Sequence, residues 1–348
     1  MGENRHTPTR HMQHQGCLSK LDVLIAAPSD PLGRAGWGDF HFARALQRAL
    51  GELQILSRLL FRDQLDGFGI APNHDLLVIR GKFRPNSEWL RNSRYRQRIL
   101  WIISWPLDIS SDELEDYDLI LVASSQDRPR IAALSQRTTY TLQQATEFRC
   151  FSPAPMHDGS LLFIGNTRGL QRPIVQNFAE AHCPLALIGK GWQKWGLHPE
   201  KVSIANGLLP LRYSQALAVL NDHHGAMRDY GYMNNRIYDV LACAVPVITD
   251  QAPDCPPDLL PGVILHQPGQ DDPAQSLEKA RRLSRQPEIL MEVARRVRQN
   301  HSFAARAKTL LPHLIGAKGV QPKSASLRSE HLEPASKPSV TNERSTNL

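Results

Sequence analysis

The chain has 348 residues, enough for two domains of ordinary size, and its 41% hydrophobic and 22% charged residues make a globular balance rather than a disordered one. Its net charge of +7 favours anionic partners, but the densest basic stretch, residues 91–98 (RNSRYRQR), contains a single aromatic and offers no stacking platform, so no nucleic-acid partner is expected. Five scattered cysteines, odd in number and without a C-x-x-C pair, argue against a disulfide framework or a structural zinc site and point to a reducing, cytoplasmic setting.

Residues 1–19 are polar and lack the apolar core of a secretory signal, so they read as a disordered tail. Residues 21–27 (LDVLIAA) predict a first strand, and residues 28–38 a glycine-bearing loop. The next helix carries Phe42, Ala45, Leu46, Ala49 and Leu50 at i, i+3, i+4, i+7, i+8, a core-facing stripe. Further strands are expected at 53–56, 76–80 (LLVIR), 99–104 (ILWIIS) and 119–123 (LILVA). The longest apolar run, 99–107, is far short of a bilayer span and leaves only peripheral membrane contact. Residues 151–160 (FSPAPMHDGS) read as a linker.

A second set of strands follows at 161–164, 185–188, 216–221 and 245–249, with helical patterns at 273–285, 287–300 and 302–315. Residues 317–348, rich in Ser, Pro and Lys, read as a second disordered tail. The alternation predicts an α/β protein of two Rossmann-like domains, residues 20–150 and 161–316, whose parallel sheets face a central cleft. Ligand-binding residues are then expected just after strands, where loops and helix N-termini point.

Four segments fit that expectation. In the first loop Gly33, Gly36 and Gly38 are spaced G-x-x-G-x-G, not as the dinucleotide fingerprint, and no acidic residue closes the second strand; no nicotinamide cofactor is expected. Asp39 is either the N-cap of the next helix or a carboxylate facing the cleft, and His41 either an exposed side chain or a general base. In residues 161–175 (LLFIGNTRGLQRPIV) a glycine turn bearing Asn166 and Arg168 precedes a helix and offers amides to phosphate, with Arg168 and Arg172 adding charge. Gly189-Lys190-Gly191 follows a strand directly and suits a diphosphate; Trp192 either stacks on a base or seals the core.

The fourth segment, residues 219–250, is the most informative. A strand ends in Asn221-Asp222-His223-His224, a loop carries Met227, Arg228 and Gly231, and a helix is predicted over 234–244. Asn235, Arg236 and Asp239 share its polar side, where a carboxylate can accept both hydroxyls of a ribose or simply pair with Arg236. His223 and His224 are adjacent on a strand end and point apart, so no metal site is expected.

Residues 238–247 (YDVLACAVPV) resemble the E-A-M-A-C-G-x-P-V stretch of group 1 GT-B glycosyltransferases. The longer series Asn221, Asp222, His223, Met227, Arg228, Gly231, Asn235, Arg236, Tyr238 and Asp239 resembles their CgeB-like relatives of the spore-maturation type. GDFHFARALQRAL (38–50), ILWIISWPLD (99–108), YDLILVASS (117–125), LFIGNTRGLQRPIV (162–175) and GKGW (189–192) extend the likeness in order over most of 20–315. The resemblance implies a GT-B fold, a nucleotide-sugar donor held without an essential metal or cofactor, and an acceptor (glycan, protein or small molecule) that the motifs do not name. It implies that Asp239 meets the donor ribose, that Arg168, Lys190, Arg228 and Arg236 serve the diphosphate, and that Gly38 and His41 face the transferred sugar; Asn166, His223 and Asn235 join them as candidate donor-binding residues, and His41 and Asp39 are the candidate catalytic residues. The chain departs from the group 1 pattern at Gly231 and Asp239, which stand for the E-x7-E pair, at Ala244 for glycine and at Trp105 for histidine. Those departures keep a non-catalytic GT-B-like binding protein open as an alternative; a sugar-nucleotide epimerase would need more acid and base groups than these segments supply.

Overall fold

The computed structural model describes residues 20–67, 71–153, 159–250 and 252–314; both expected tails and half of the expected linker lie outside these residues. Strands β1 (Lys20–Ile25), β2 (Leu56–Phe61), β3 (His74–Arg80), β4 (Gln97–Ile102), β5 (Leu119–Val122) and β6 (Thr138–Thr141) form one parallel sheet in the order β2-β1-β3-β4-β5-β6. Strands β7 (Leu161–Ile164), β8 (Leu185–Ile188), β9 (Ala218–Asn221), β10 (Val247–Thr249) and β11 (Val263–Leu265) form a second, also parallel, in the order β11-β10-β9-β7-β8. Both sheets follow one winding scheme. In each, the first strand lies between the second and third, so the direction of winding reverses beside β1 and beside β7.

Helices cover both faces of each sheet, which is why the strands read as continuous apolar runs rather than alternating ones. The two faces are still distinguishable: Ile99 and Trp101 of β4 enter one core with the stripe Phe42, Ala45, Leu46, Ala49 and Leu50, while Leu100 and Ile102 enter the core on the opposite face. The second strand begins three residues later than its predicted 53–56. Leu53 instead caps the helix Gly38–Glu52, and Gln54 turns the chain at φ 60°.

The chain ends by returning. Phe303, Ala307, Leu310 and Leu314, in and after the helix Phe303–Leu310, pack into the first core, where Phe303 meets Phe42 edge to face at 4.6 Å. At that crossing Thr146 and Ser302 pair, with Thr146 N–H donating to His301 O (3.1 Å) and Phe303 N–H to Thr146 O (3.0 Å). Among the described residues no helix is long and apolar enough to cross a membrane.

Candidate functional site

A cleft of about 810 Å3 opens where the carboxyl ends of the two sheets face each other. Its first wall comes from residues that follow β1 to β4: Ala26, the loop Gly36-Trp37-Gly38-Asp39, Arg62, Gly81-Lys82-Phe83 and Ser104. Its second wall comes from residues after β7 and β9 and from the start of the helix Asn235–Ala242: Arg168, Arg172, Asp222, His224, Asn234, Asn235 and Arg236. Both winding reversals therefore open into the same space, where ligands of such sheets bind.

Local geometry fixes the second wall. Gly189 adopts φ 143°, and a Cβ there would lie 2.1 Å from Gly165 O, so the turn after β8 tolerates only glycine against the turn after β7. Lys190 N–H donates to Asn166 Oδ1 (2.8 Å), and Trp192 Nε1–H to Gly165 O (3.0 Å). This stitched pair of turns presents Arg168, itself in the left-handed region at φ 53°. Arg236 lies over the Phe163 ring (4.9 Å) and donates to Ile164 O (2.7 Å) and Asn221 Oδ1 (3.2 Å). Arg172 donates to Asp222 Oδ2 (2.7 Å) and Asn166 O (2.9 Å). Arg168 has no ion pair or hydrogen bond through its side chain among the described residues. Burial in this wall, then the neighbouring Arg172 and Arg236, lower its affinity for its proton. Burial, then the charges of Arg172 and Arg168, lower the pKa of His224 from the ordinary histidine value.

On the first wall Asp39 lies in the first turn of its helix but does not cap it; Trp37 is the N-cap residue. Asp39 Oδ2 instead accepts from Ala27 N–H (3.1 Å), tying the helix to the end of β1, while Oδ1 is buried without a partner. Burial raises its pKa above the ordinary carboxylate value, against the lowering effect of nearby backbone N–H groups. Arg172 Nε, His224 Nε2 and Asn234 Oδ1 are likewise buried without a partner among the described residues. These four unpaired polar atoms all belong to residues that line the cleft.

Of the residues singled out in the sequence, Gly38, Asp39, Arg168, Asn235 and Arg236 come together in the cleft. His41 is not on its lining; its Nε2 contacts Ala35 O (2.9 Å). Lys190 is exposed beside the stitched turns, and Arg228 is exposed with Asp229 as its neighbour at 3.4 Å. His223 is buried against Asp250 (2.6 Å), while His224, one residue on, reaches the cleft, as expected of neighbours on a strand end. Asp239 is buried and takes a hydrogen bond from Thr146 Oγ1 (2.6 Å) and one from Asn235 Nδ2 (3.3 Å), not an ion pair with Arg236. Trp192 is core, packed edge to face on Phe163. Arg62, Lys82, Ser104 and Gln144 line the cleft without having been singled out. Among the described residues no group of three or more His, Cys, Asp or Glu side chains is placed to hold a metal ion.

Residues 168–312 match the sequence profile of a family described as glycosyl transferase-like. No curated protein sequence matches the chain. Among solved structures, sucrose-phosphate synthase from Thermosynechococcus elongatus superposes with a TM-score of 0.59 at 14% identity, over 84% of this chain and 97% of that one. HepE of Anabaena in complex with UDP and glucose gives 0.58 at 10% identity, over 85% and 99%. T4 phage β-glucosyltransferase gives 0.54 at 10% identity, over 86% and 100%.

The chain has the GT-B fold. At this level of identity the likeness is one of architecture, and what the GT-B scaffold does here rests on its own cleft.

Proposed function

We propose that this GT-B protein is a glycosyltransferase that moves a sugar from a nucleotide-sugar donor to an acceptor without an essential metal. The observation that carries the reading is the charge of the second wall: Arg168, Arg172 and Arg236 face only Asp222, so this wall attracts an anion. The glycosyl transferase-like match over 168–312 covers the arginine-bearing wall, and HepE, of the same architecture, was solved with UDP and glucose. Arg168, Arg236 and the N-terminus of the helix Asn235–Ala242 hold the donor diphosphate and stabilise it as it leaves, which is the charge role a metal would otherwise fill.

Residues 161–302 form the donor side, and the unit built on residues 20–150 the acceptor side. Asp39 takes the acceptor hydroxyl's proton as that oxygen bonds to the anomeric carbon and the diphosphate departs. Its raised pKa brings it nearer neutrality, where a general base works best. The arginines favour this reading over a non-catalytic protein, whose degenerate cleft would show apolar side chains in their place.

The test is a thermal-shift screen against nucleoside diphosphates and their sugars, with and without EDTA. A ligand at 100 times its Kd adds about 2.7 kcal/mol of stability. One nucleotide class should stabilise the protein, with no effect of EDTA. Arg168→Ala should weaken that nucleotide about tenfold or more, and Asp39→Asn should leave binding intact while abolishing transfer. No stabilisation by any nucleotide rejects the proposal.

A further inference from the structure

The acceptor wall holds two cations that the donor does not use. Each phosphate of a nucleotide sugar's diphosphate carries one negative charge. On the opposite wall Arg172 (2.7 Å) and Arg236 (3.8 Å) share Asp222, so with Arg168 the three arginines carry a net charge of two there, enough to match those two charges. Arg62 and Lys82 are therefore surplus. They follow β2 and β3 at the cleft, and neither has an ion pair or hydrogen bond through its side chain among the described residues. Each is held on an indole face: the Arg62 guanidinium lies 4.8 Å from the Trp37 ring centroid, and Lys82 Nζ lies 5.1 Å from that of Trp105.

The second support is itself fixed. Trp105 sits in the left-handed region (φ 58°, ψ 60°), a costly conformation for so large a residue, and its Nε1–H donates to Asp108 Oδ2 (2.7 Å). Trp37 and Phe83 line the cleft on the same wall, and a Cβ added at Gly36 or Gly38 would meet nothing within 4 Å.

We infer that this wall selects an acceptor that carries an anionic group, phosphate or carboxylate, beside a sugar ring. Arg62 and Lys82 bind the anion, the ring lies on Trp37 and Phe83, and a ring hydroxyl is presented to Asp39. This assignment rests on the transferase reading and gives its acceptor a chemical class.

The test uses the full chain saturated with whichever nucleotide stabilises it. A panel of sugar phosphates, sugar acids and their neutral parent sugars is titrated in by thermal shift and calorimetry, with inorganic phosphate alone as a control. Anionic sugars should bind, their neutral parents and phosphate alone at least about tenfold more weakly, and high salt should erode the difference. The double variant Arg62→Ala/Lys82→Ala should lose the preference while keeping the wild-type nucleotide response. Neutral sugars binding as well as charged ones, no binding by any charged sugar, or a double variant that keeps the preference would each overturn the assignment. Phosphate alone binding as well as the sugar phosphates would show an adventitious ion only. A wild-type protein that ignores every nucleotide instead removes the transferase reading beneath it.

Discussion

Burial takes the Asp239 carboxyl out of water and pushes its pKa from 3.8 up to about 7; the Thr146 hydroxyl and the charge of Arg236 only partly oppose this. The folded state therefore keeps a proton that the unfolded chain gives up between about pH 4 and pH 7. Stability contributed by neutral Asp239 is full below the unfolded value and lost as pH rises through the folded one. Unfolding midpoints of the wild type should fall across that window by the equivalent of a few kcal/mol, and those of Asp239→Asn should be flatter by that amount. Parallel profiles for the two proteins would show that Asp239 is ionised throughout. The motif placed this residue on the right helix, but which way it faces was not legible. Its partner Thr146 lies 93 positions away in the sequence. Arg168, Asn235, Arg236 and Asp39 were legible because each follows a strand or opens a helix. Arg62 was not, because β2 was read too early and the residue after its true end, Phe61, went unnoticed.

At the scale of elements, the strands with long apolar runs were readable because both their faces are buried. Two short ones at sheet edges were not: β6 is the polar, half-exposed TTYT, and β11 is three residues long. The stitched turns behind Arg168 depend on glycine in a way the sequence only hinted at. The Gly189-Lys190-Gly191 triplet reads as suited to a diphosphate, and its glycines make room for neighbouring protein: Gly189 for Gly165 O and Gly191 for the Thr167 hydroxyl. Gly189→Ala should cost roughly 1–3 kcal/mol for the backbone conformation, and about as much again for the clash. Denaturant titration measures this loss. A variant as stable as the wild type would mean that the turn after β8 can retreat from the turn after β7.

At the scale of the molecule, the two units meet away from the crossing through Met227 and Tyr232, which pack into a core of the first unit, and through a set of polar contacts. Ser125 N–H donates to Asp254 Oδ2 (2.8 Å), Gln143 Nε2 to Asp254 O (2.9 Å) and Oδ2 (3.0 Å), Tyr232 OH to Asp127 Oδ2 (2.7 Å), and Ser124 Oγ to Tyr230 O (2.6 Å). The Asp254 carboxylate accepts three hydrogen bonds, from Ser125 N–H, the Ser125 hydroxyl and Gln143 Nε2, and hydrogen bonds to a charged group are worth about 1.5–3 kcal/mol apiece when buried and less when exposed. Asp254→Ala should populate a more open arrangement, seen as a larger radius of gyration in solution scattering that shrinks when nucleotide is added. An unchanged radius would assign closure to the remaining contacts. The crossing at Thr146 and Ser302 sets what such opening can look like. Two chain segments pass between the units side by side and are bonded to each other, as two leaves of a door share one pin. Sliding or twisting would tear that pairing, whereas folding about it leaves both segments intact. A swing about that pairing is the motion that preserves it, and one angle between the walls is then expected to describe opening and closing.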